Sequence, residues 1–427
     1  MAAKKARSLP EIRFSGFERD WELEPLLKRI DDIVDFRGRT PKKLGLEWSE
    51  SGYLALSALN VKDGFIDATS DAHFGDDELY NAWMRGNELH QNQVLFTTEA
   101  PMGNVAQVPD TQKYILSQRT IAFVTDPNIL SDDYLAVLLK SPGVVQQLLA
   151  RASGGTAKGV SQKSLASLRI TIGDALAEQE KIGSYFKSLD RMIGLHQRKH
   201  DKLVTLKQAM LQKMFPQDGA TTPEIRFKGF EGEWEECDLA EFSDIKTGPF
   251  GSMLHAEDYV TNGTPIITTE HFKYWRLPTI KKGLPQVSAD DRNRLNSYEL
   301  STGDIVFSRV GSIDINARVE EAQDGWLFSG RVLRVRVTEA IDTEYLHHVL
   351  STYRVRKNIA DRAVGQTMPS INTVILGRTP VQLPKELDEQ EKIGQYFRKL
   401  NDLIAEHSAQ IEKLKNIKSA CLEKMFV

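Results

Sequence analysis

Side chains suited to binding nucleic acid are concentrated in short loops that carry glycine and proline. The segment FRGRTPKK, residues 36–43, presents four cations, and its glycine lets a ligand approach the backbone closely. Lysine and arginine neutralise phosphates, and arginine can also donate two hydrogen bonds to the O6/N7 edge of guanine. The segment is therefore a candidate DNA contact, although each of its cations could equally belong to a solvated turn.

Catalytic patterns do not accompany these loops. GGTAKGV, residues 154–160, begins like a phosphate-binding loop, but Val160 stands where that pattern requires lysine. The sequence has no H-E-x-x-H, C-x-x-C or G-x-S-x-G pattern, and Cys237 and Cys421 are too few for a four-thiolate zinc site. We therefore expect a non-catalytic chain with no metal or cofactor of its own.

The chain is a tandem repeat with a period near 211 residues. EQEKIGSYF, residues 178–186, returns as EQEKIGQYF, residues 389–397, and residues 178–215 and 389–426 share 19 identities over 38 positions. PEIRF at 10–14 returns at 223–227, an offset of 223 − 10 = 213. A period of this length is that of a domain rather than of a solenoid unit, so we expect two homologous halves.

Each half contains strand-like and helix-like segments in the same order. YLALSAL, VLFTT, YIL and TIAFV in the first half are typical of short strands, as are PIITT, IVFS and VLRVRV in the second. The segments from Ser131 and from Asp342 have helical apolar spacing, and His347 and His348 in the second are expected to be partly exposed helix residues. This composition predicts an α+β domain with a mainly antiparallel or irregular sheet.

A long helix closes each half. Apolar residues recur there at alternating steps of four and three, which is a heptad repeat, with Lys207 and Lys418 at matched positions. The two seams include Ile182, Phe186, Leu189, Ile193, His196 and Leu203, and Ile393, Phe397, Leu400, Ile404, His407 and Leu414. His196 and His407 are equivalent seam positions that we expect to fix the register. The pattern alone leaves parallel and antiparallel pairing of the helices open.

Further candidate DNA contacts lie in loops that follow predicted strands in both halves. They are polar or cationic residues of turn-forming segments, and for each one ordinary turn chemistry is the alternative. The candidates in the first half are Arg37, Arg39, Thr40, Lys42, Lys43, Ser57, Asn60, Lys62, Thr97, Thr98, Asn104, Arg119, Thr156 and Lys158. Those in the second half are Lys246, Ser252, Thr268, His271, Lys273, Ser308, Arg309, Ser312, Asn316, Arg331, Gln366 and Thr367.

The order, duplication and spacing of these segments resemble the specificity subunits of type I restriction–modification systems. The resemblance is carried by the repeated EQEKIG helix, the G-x-T before it, the FRGRTP and KTGPFGS entries and YLALSALNVKDG, and it covers essentially the whole chain. It implies two target recognition domains, residues 1–170 and 217–384, a central spacer helix in residues 171–216 and a distal helix in residues 385–427. It also implies that the two helices pack as an antiparallel coiled coil in a pseudo-two-fold arrangement.

The same resemblance implies a partner set. A specificity subunit of this family reads a bipartite, asymmetric double-stranded DNA target and recruits two adenine methyltransferase subunits, which use S-adenosylmethionine. It usually also recruits two motor/nuclease subunits, which use ATP and Mg²⁺. Two alternatives stay open: a coiled-coil adaptor that binds protein, and a specificity subunit of a system that only methylates.

The distribution of charge bears on how tightly the chain would hold DNA. The chain has 55 Lys+Arg against 59 Asp+Glu, a net charge of −4, which excludes a strongly basic nucleic-acid coat. Residues 24–150 carry 11 − 18 = −7 and residues 151–215 carry 12 − 5 = +7. We therefore expect weak DNA binding by the isolated chain and tight binding in a complex. The sequence has neither a signal-peptide core nor an apolar run of about 18 residues, so we expect a cytoplasmic protein.

Overall fold

A computed structural model of the chain describes residues 9–154, 158–249, 253–272 and 275–426. It divides into two units, the first made of residues 1–197 and 408–427 and the second of residues 198–407. Each unit combines a globular part with half of each long helix. The predicted limits at residues 170/171 and 384/385 fall close to the starts of these helices and remain a prediction as domain boundaries.

The first unit contains three small sheets. Its strands are β1 Glu22–Pro25, β2 Asp32–Asp35, β3 Tyr53–Leu56, β4 Phe74–Gly75, β5 Val94–Thr97, β6 Val105–Gln107, β7 Ile115–Leu116, β8 Thr120–Val124 and β9 Arg169–Ile172. Its helices are α1 Asp77–Met84, α2 Asp132–Leu138, α3 Pro142–Arg151, α4 Gln162–Ala166 and the long α5 Leu176–Lys213, which continues into the second unit. The sheets have the orders β2-β8-β5-β6, β4-β3-β7 and β1-β9, and only β3 with β7 is a parallel pair among them.

The second unit repeats this topology with one additional strand. Its strands are β10 Glu235–Asp238, β11 Ser243–Thr247, β12 Tyr259–Val260, β13 Thr264–Ile267, β14 Gln286–Val287, β15 Ile305–Ser308, β16 Asn316–Arg318, β17 Leu327–Phe328, β18 Val332–Val337 and β19 Pro380–Leu383. Its helices are α6 Ala289–Arg294, α7 Thr343–Val349, α8 Tyr353–Arg362, α9 Thr373–Gly377 and the long α10 Leu387–Lys424, which continues into the first unit. The sheet orders are β11-β18-β15-β16, β12-β14-β13-β17 and β10-β19. The α+β prediction and the predicted strands are confirmed.

Side chains of the central strand in each unit alternate between two apolar cores, one on either face of the sheet. In β5, Val94 and Phe96 face the core that contains the start of α5, whereas Leu95 faces the core between the two larger sheets. In β15, Ile305 and Phe307 face the first kind of core and Val306 faces the second. Successive side chains of a strand point to opposite faces, so buried residues at every position indicate a sheet covered on both sides.

The long helices pack antiparallel within each unit. In the first unit, the Tyr185 hydroxyl lies 3.6 Å from the Cys421 sulfur, and Lys418 Nζ donates to Asp190 at 2.6 Å. Residues further along α5 contact residues earlier in α10, so the two helices run antiparallel. In the second unit, the ring of Phe215, just beyond the end of α5, lies 5.6 Å from the ring of Phe397 near the start of α10.

The predicted seam residues are all buried or half-buried. Their first members, such as Ile182 and Phe186 in α5 and Ile393 and Phe397 in α10, belong to the globular cores of their units. The beginning of each long helix is therefore built into a domain rather than being a free-standing coiled coil.

A buried carboxylate in the first turn of each long helix joins the helix to the repeated PEIRF segment. Glu178 is 1% exposed and accepts hydrogen bonds from Arg13 at 2.6 and 2.8 Å and from Trp21 Nε1 at 3.2 Å. Glu389 likewise accepts two hydrogen bonds of 2.7 Å from Arg226. A negative charge at a helix N-terminus is also favoured by the helix dipole. This pairing explains why PEIRF and EQEKIG recur together.

The glutamine of the repeated EQEKIG segment connects each long helix to a shorter helix of the same unit. Gln179 Oε1 accepts from the Ser131 amide at 3.1 Å, before α2, and Gln390 Oε1 accepts from the Asp342 amide at 3.1 Å, before α7. At Gly183, an added Cβ would lie 2.7 Å from the Cβ of Asp133, so only glycine permits this approach of α5 to α2.

The PEIRF segments also satisfy the last turns of the long helices. The Ile225 amide donates to the Lys213 carbonyl at 2.8 Å, and the Ile12 amide donates to the Lys424 carbonyl at 2.9 Å. The last carbonyls of a helix have no partner within the helix. These two bonds therefore satisfy a carbonyl at the C-terminus of α5 and one at the C-terminus of α10. Each PEIRF segment thus connects the end of one long helix to the start of the other within a unit.

The second unit contains a polar core cluster that the first unit lacks at the same positions. His347 and His348 are buried, so the expectation that they are partly exposed is wrong. His347 Nδ1 lies 2.6 Å from Asn316 Oδ1, and the Asn316 amide nitrogen donates to Ser351 Oγ at 3.3 Å. At an offset of 211, the corresponding residues of the first unit are Ala136, Val137 and Val105, all apolar.

Burial sets the protonation of this cluster. It lowers the pKa of both histidines well below 6.5, and the charge of Lys207 acts in the same direction. Burial also lowers the pKa of Lys207 to about 8. The carboxylate of Glu344 favours the charged form of His347, but burial is the larger effect. The histidines are therefore neutral in the folded protein at neutral pH.

We predict that Arg13→Met destabilises the first unit by about 3 kcal/mol, because it leaves the buried Glu178 carboxylate without its cation. Arg226→Met should do the same in the second unit. The measurement is urea unfolding followed by tryptophan fluorescence. As a control, Lys357→Met removes the exposed ion pair with Asp361 and should leave the unfolding midpoint unchanged. A loss for Arg13→Met no larger than that of the control would refute the role of the buried pair.

We predict that the unfolding free energy falls as the pH drops below about 6.5, because histidines of the unfolded chain bind protons that the buried ones exclude. The slope approaches about 1.4 kcal/mol per pH unit for each histidine. Transplanting the residues of the first unit, as Asn316→Val/His347→Ala/His348→Val, should flatten the slope between pH 6.5 and 5. Ser351→Ala provides the control: it removes a hydrogen-bond partner of the cluster but no histidine, so it should retain the wild-type slope. An equally steep slope in the triple variant would contradict this account.

Candidate nucleic-acid interface

The predicted loops lie together at one end of each four-stranded sheet. In the order β2-β8-β5-β6 all neighbours are antiparallel, so the ends of β2 and β5 and the beginnings of β8 and β6 share one side. Segments 36–43, 97–104 and 117–119 therefore meet there. Hydrogen bonds connect them: Gln118 Nε2 donates to the Arg39 carbonyl at 2.6 Å, and the Val160 amide donates to the Thr98 carbonyl at 2.9 Å.

The second unit has the same arrangement. The end of β15 and the beginning of β18 meet, and the Arg309 amide donates to the Arg331 carbonyl at 2.9 Å. The Gly311 amide donates to the Pro369 carbonyl at 2.9 Å, which brings in the loop that contains Gln366 and Thr367. We call this side the recognition end: segments 36–43, 97–104, 117–119 and 158–160 in the first unit, and 308–316, 329–331 and 364–371 in the second.

Several predicted contacts of the first unit are exposed at its recognition end. Lys42 and Lys158 are exposed, and Lys43 Nζ donates to the Gly38 carbonyl at 2.6 Å. Arg37 pairs with Asp35 at 2.5 Å, and Arg119 pairs with Glu99 at 2.8 Å. The two ion pairs hold their guanidinium groups in place and reduce the net positive charge of this surface.

Other predicted contacts of the first unit hold the loops instead. Arg39 lies over the Phe36 ring at 4.2 Å and donates to the Trp83 carbonyl, and burial lowers its pKa. Thr40 accepts a hydrogen bond from the Lys43 amide at 3.3 Å and begins a short 3₁₀ turn. The half-buried Asn104 donates to the Val61 carbonyl at 2.9 Å, and Lys62 is also half-buried.

Five predicted DNA contacts are buried, and their burial is at odds with a direct contact. Asn60 is 0% exposed; its amide oxygen accepts from Ser57 Oγ at 2.7 Å, and its nitrogen donates to the Asp67 carbonyl at 3.3 Å. This closes the loop after β3, in which hydrogen bonds from Ser70 and Thr69 lower the pKa of Asp67. The other four residues bond to neighbouring loops or to the core network, and they are Thr97, Thr98, Ser308 and Asn316. Polar residues after buried strands satisfy the backbone there, and their role as DNA contacts remains a prediction.

The second unit divides in the same way. Its exposed predicted contacts are Ser312, Arg331, Gln366 and Thr367. Lys246 is half-buried, donates to the Ser297 carbonyl at 2.8 Å and lies over the Tyr298 ring at 4.5 Å.

Two further predicted contacts shape loops of the second unit. Arg309 donates to the carbonyls of Ile371 at 3.2 Å and Gly330 at 3.1 Å, which ties three segments of the recognition end together. His271 Nδ1 accepts from the Thr268 amide at 3.0 Å at the start of a short 3₁₀ turn. The predicted contacts Thr156, Ser252 and Lys273 lie outside the described residues.

One aromatic feature of the first recognition end was missed from the sequence. Trp48 stacks on His73 at 5.4 Å, and both line a cavity of about 450 Å³ together with Thr40, Ser57 and Arg119. The only signal was an aromatic residue in a stretch without strand or helix periodicity, which is common in loops of every function.

The described residues offer neither a metal site nor a helix that could span a membrane. These residues contain no group of three or more His, Cys, Asp and Glu positioned to hold a metal ion. None of the helices in the described ranges combines the length and apolar character needed to cross a bilayer.

Comparison with known proteins gives the same picture for the whole chain. Residues 20–205 and 231–416 each match the type I restriction modification DNA specificity domain, with the offset of 211 that separates the repeated helices. The chain is 23% identical over 429 residues to the type I restriction enzyme MjaVIII specificity subunit of Methanocaldococcus jannaschii, covering 96% of this chain and 94% of that protein. It is 28% identical over 200 residues to the putative MjaX specificity subunit of the same organism, covering 45% and 46% of the two chains.

A solved structure shares the fold. The type I restriction–modification S subunit from M. genitalium matches with a TM-score of 0.69 at 15% identity, over 98% of this chain and 99% of that one. Each of the two matched specificity domains contains one of the two recognition ends described above. The chain therefore belongs to the type I restriction–modification DNA specificity family and is a non-catalytic subunit that recognises DNA sequence.

Proposed function

We propose that the chain reads a bipartite, asymmetric DNA target, with one half-site for each unit. The observation that carries this proposal is that equivalent recognition ends present different side chains. The first is rich in cations, including Lys42, Lys43 and Lys158, whereas the second exposes Ser312, Gln366 and Thr367. Two identical readers would select a repeated half-site, so two different readers favour two different half-sites.

The exposed arginines are the best candidates for direct base reading. Arg119 and Arg331 stand at equivalent places, each immediately before the central strand β8 or β18. Arginine donates two hydrogen bonds to the major-groove edge of guanine, and each such pair contributes about 1–3 kcal/mol of discrimination. The lysines of segment 36–43 suit phosphates, which position a protein on DNA without reading its sequence.

The long helices would determine the distance between the half-sites. Each has 38 residues, or about 57 Å at the usual helical rise. Half-sites read from one face of the duplex are separated by about 34–36 Å, one helical turn, or a multiple of it. We therefore propose a spacer role for α5 and α10, with neither helix reading bases.

Partner subunits would supply both the chemistry and much of the affinity. We propose recruitment of two adenine methyltransferase subunits, which use S-adenosylmethionine, and of ATP- and Mg²⁺-dependent motor/nuclease subunits. The net charge of −7 over residues 24–150 supports a reader with weak affinity of its own. Methylation without cleavage remains the alternative if no nuclease partner is encoded, and the cytoplasm is the expected compartment.

We predict that Arg119→Ala relaxes base preference in only one half-site and Arg331→Ala in only the other, because each arginine belongs to a different reader. The loss should be about five- to 150-fold in discrimination at the affected base. The measurement is genome-wide adenine-methylation profiling of cells that express each variant with the methyltransferase.

Asn60→Ala is the matched control for this experiment. Because Asn60 is buried and closes a loop, the substitution should lower thermal stability while leaving the sequence of the methylated sites unchanged. Equal relaxation of both half-sites by Arg119→Ala would exclude the division of labour between the units. Methylation without any sequence preference in the wild type would exclude the proposed function itself.

A further inference from the structure

The hairpin 364–370 of the second recognition end exposes apolar side chains on a rigid backbone. Val364 is 64% exposed and Met368 is 66% exposed. The hairpin is closed by the Val364 amide, which donates to the Ser370 carbonyl at 3.0 Å, and by the Ser370 amide, which donates back at 2.8 Å. Gly365 has φ +100°, and a Cβ there would lie 2.8 Å from the Met368 carbonyl oxygen. The turn therefore requires glycine, and its geometry is fixed independently of the apolar side chains.

The base of this hairpin is anchored to the other loops of the recognition end. The Ile371 amide donates to the Arg309 carbonyl at 3.0 Å, and the Gly311 amide donates to the Pro369 carbonyl at 2.9 Å. Arg309 in turn bonds through its amide to the Arg331 carbonyl. The hairpin thus belongs to the same recognition end as the exposed Arg331, and its own residues Gln366 and Thr367 are also exposed.

In the first unit, a backbone pair closes the equivalent segment, with different residues at the described positions. Ser153 and Gly159 exchange backbone hydrogen bonds of 2.9 Å, as Val364 and Ser370 do at an offset of 211. Ser153 stands where the second unit has Val364, and the exposed Lys158 adjoins the closing residue. The same backbone pair forms with Ser153 in place of Val364, so an apolar residue is not required at that position.

We propose that Val364 and Met368 contact the C5-methyl group of a thymine in the major groove of the half-site read by the second unit. This inference rests on the proposed function and adds the identity of one base to it. The thymine methyl is the apolar group that the standard bases present in the major groove. Gln366 and Thr367 in the hairpin and Arg331 in the same recognition end match the hydrogen-bonding edges and phosphates that surround such a methyl group.

Deoxyuridine provides the test, because it differs from thymidine only in lacking the C5-methyl group. The target is first determined by methylation profiling, and duplexes are then made with each thymine of the target replaced in turn by deoxyuridine. Affinity is measured for the complex of the full chain with its methyltransferase partner. One replacement in the second unit's half-site should weaken wild-type binding about fourfold or more.

The variants identify the side chain that reads the methyl group. Met368→Ala should bind the thymine duplex as weakly as the wild type binds the deoxyuridine duplex, and should show no further loss on deoxyuridine. Val364→Ser, which introduces the residue of the first unit, should reduce the same effect. Ile280→Ala is the control: Ile280 is 71% exposed, but the adjacent Lys281 carbonyl bonds to Gln286, near the beginning of β13 and away from the recognition end. This variant should keep the wild-type response.

Three results would overturn the inference while leaving the proposed function intact. They are a second half-site without thymine on either strand, a wild type indifferent to every deoxyuridine in that half-site, and a Met368→Ala variant that keeps the wild-type deoxyuridine loss. Met368→Ala could instead bind the methyltransferase more weakly in the absence of DNA while its deoxyuridine response stays unchanged. That result would assign the hairpin to protein binding. Thermal melting of each variant confirms that the fold is intact.

Discussion

The buried ion pair between the PEIRF arginine and the first glutamate of the long helix organises each unit. Glu178 and Glu389 are almost completely buried at a helix N-terminus, where an unpaired carboxylate would cost several kcal/mol. Arg13 and Arg226 stabilise these carboxylates only if the PEIRF segment lies against the start of the helix. The same PEIRF segments satisfy carbonyls at the helix ends. The position of the long helix on the globular core, and therefore of the strands packed against it, depends on this contact.

The periodic spacing of apolar residues explains which parts of the fold could be predicted from the sequence. Strand and helix periodicity identified β5, β8, β15 and β18, and the heptad pattern identified α5 and α10, because alternation and heptads reflect burial directly. The pattern could not specify helix direction, which depends on contacts between residues far apart in the chain. It also missed the burial of His347 and His348, since a polar pair in a short helix usually faces water.

The candidate interface was predictable at the level of loops and much less so at the level of residues. Loops that follow neighbouring antiparallel strands must meet at one end of a sheet, and strand order alone brings segments 36–43 and 97–104 together. Whether a polar side chain in such a loop faces DNA or the loop's own backbone depends on local hydrogen bonds. Asn60 and Lys42 illustrate the two outcomes, because the amide closes the turn and the lysine remains exposed. Lys42 is therefore accessible to a ligand, whereas the polar groups of Asn60 are already bonded within the loop, and DNA contact remains a prediction for both.

The polar cluster and the apolar hairpin of the second unit both show that side chains can differ between the two halves while the backbone framework stays the same. At matched positions one unit buries Asn316, His347 and His348 and the other buries valine and alanine, yet strand order and helix positions agree. The backbone framework is therefore determined by the features that both halves keep: the buried arginine–glutamate pair, the alternating strands, and the glycine (Gly183 or Gly394) at which each long helix approaches the preceding helix. Side chains outside that set are free to diverge, at the recognition end as well as in the core. A framework that tolerates such divergence can present a new set of loop residues without any change in the order of its strands and helices.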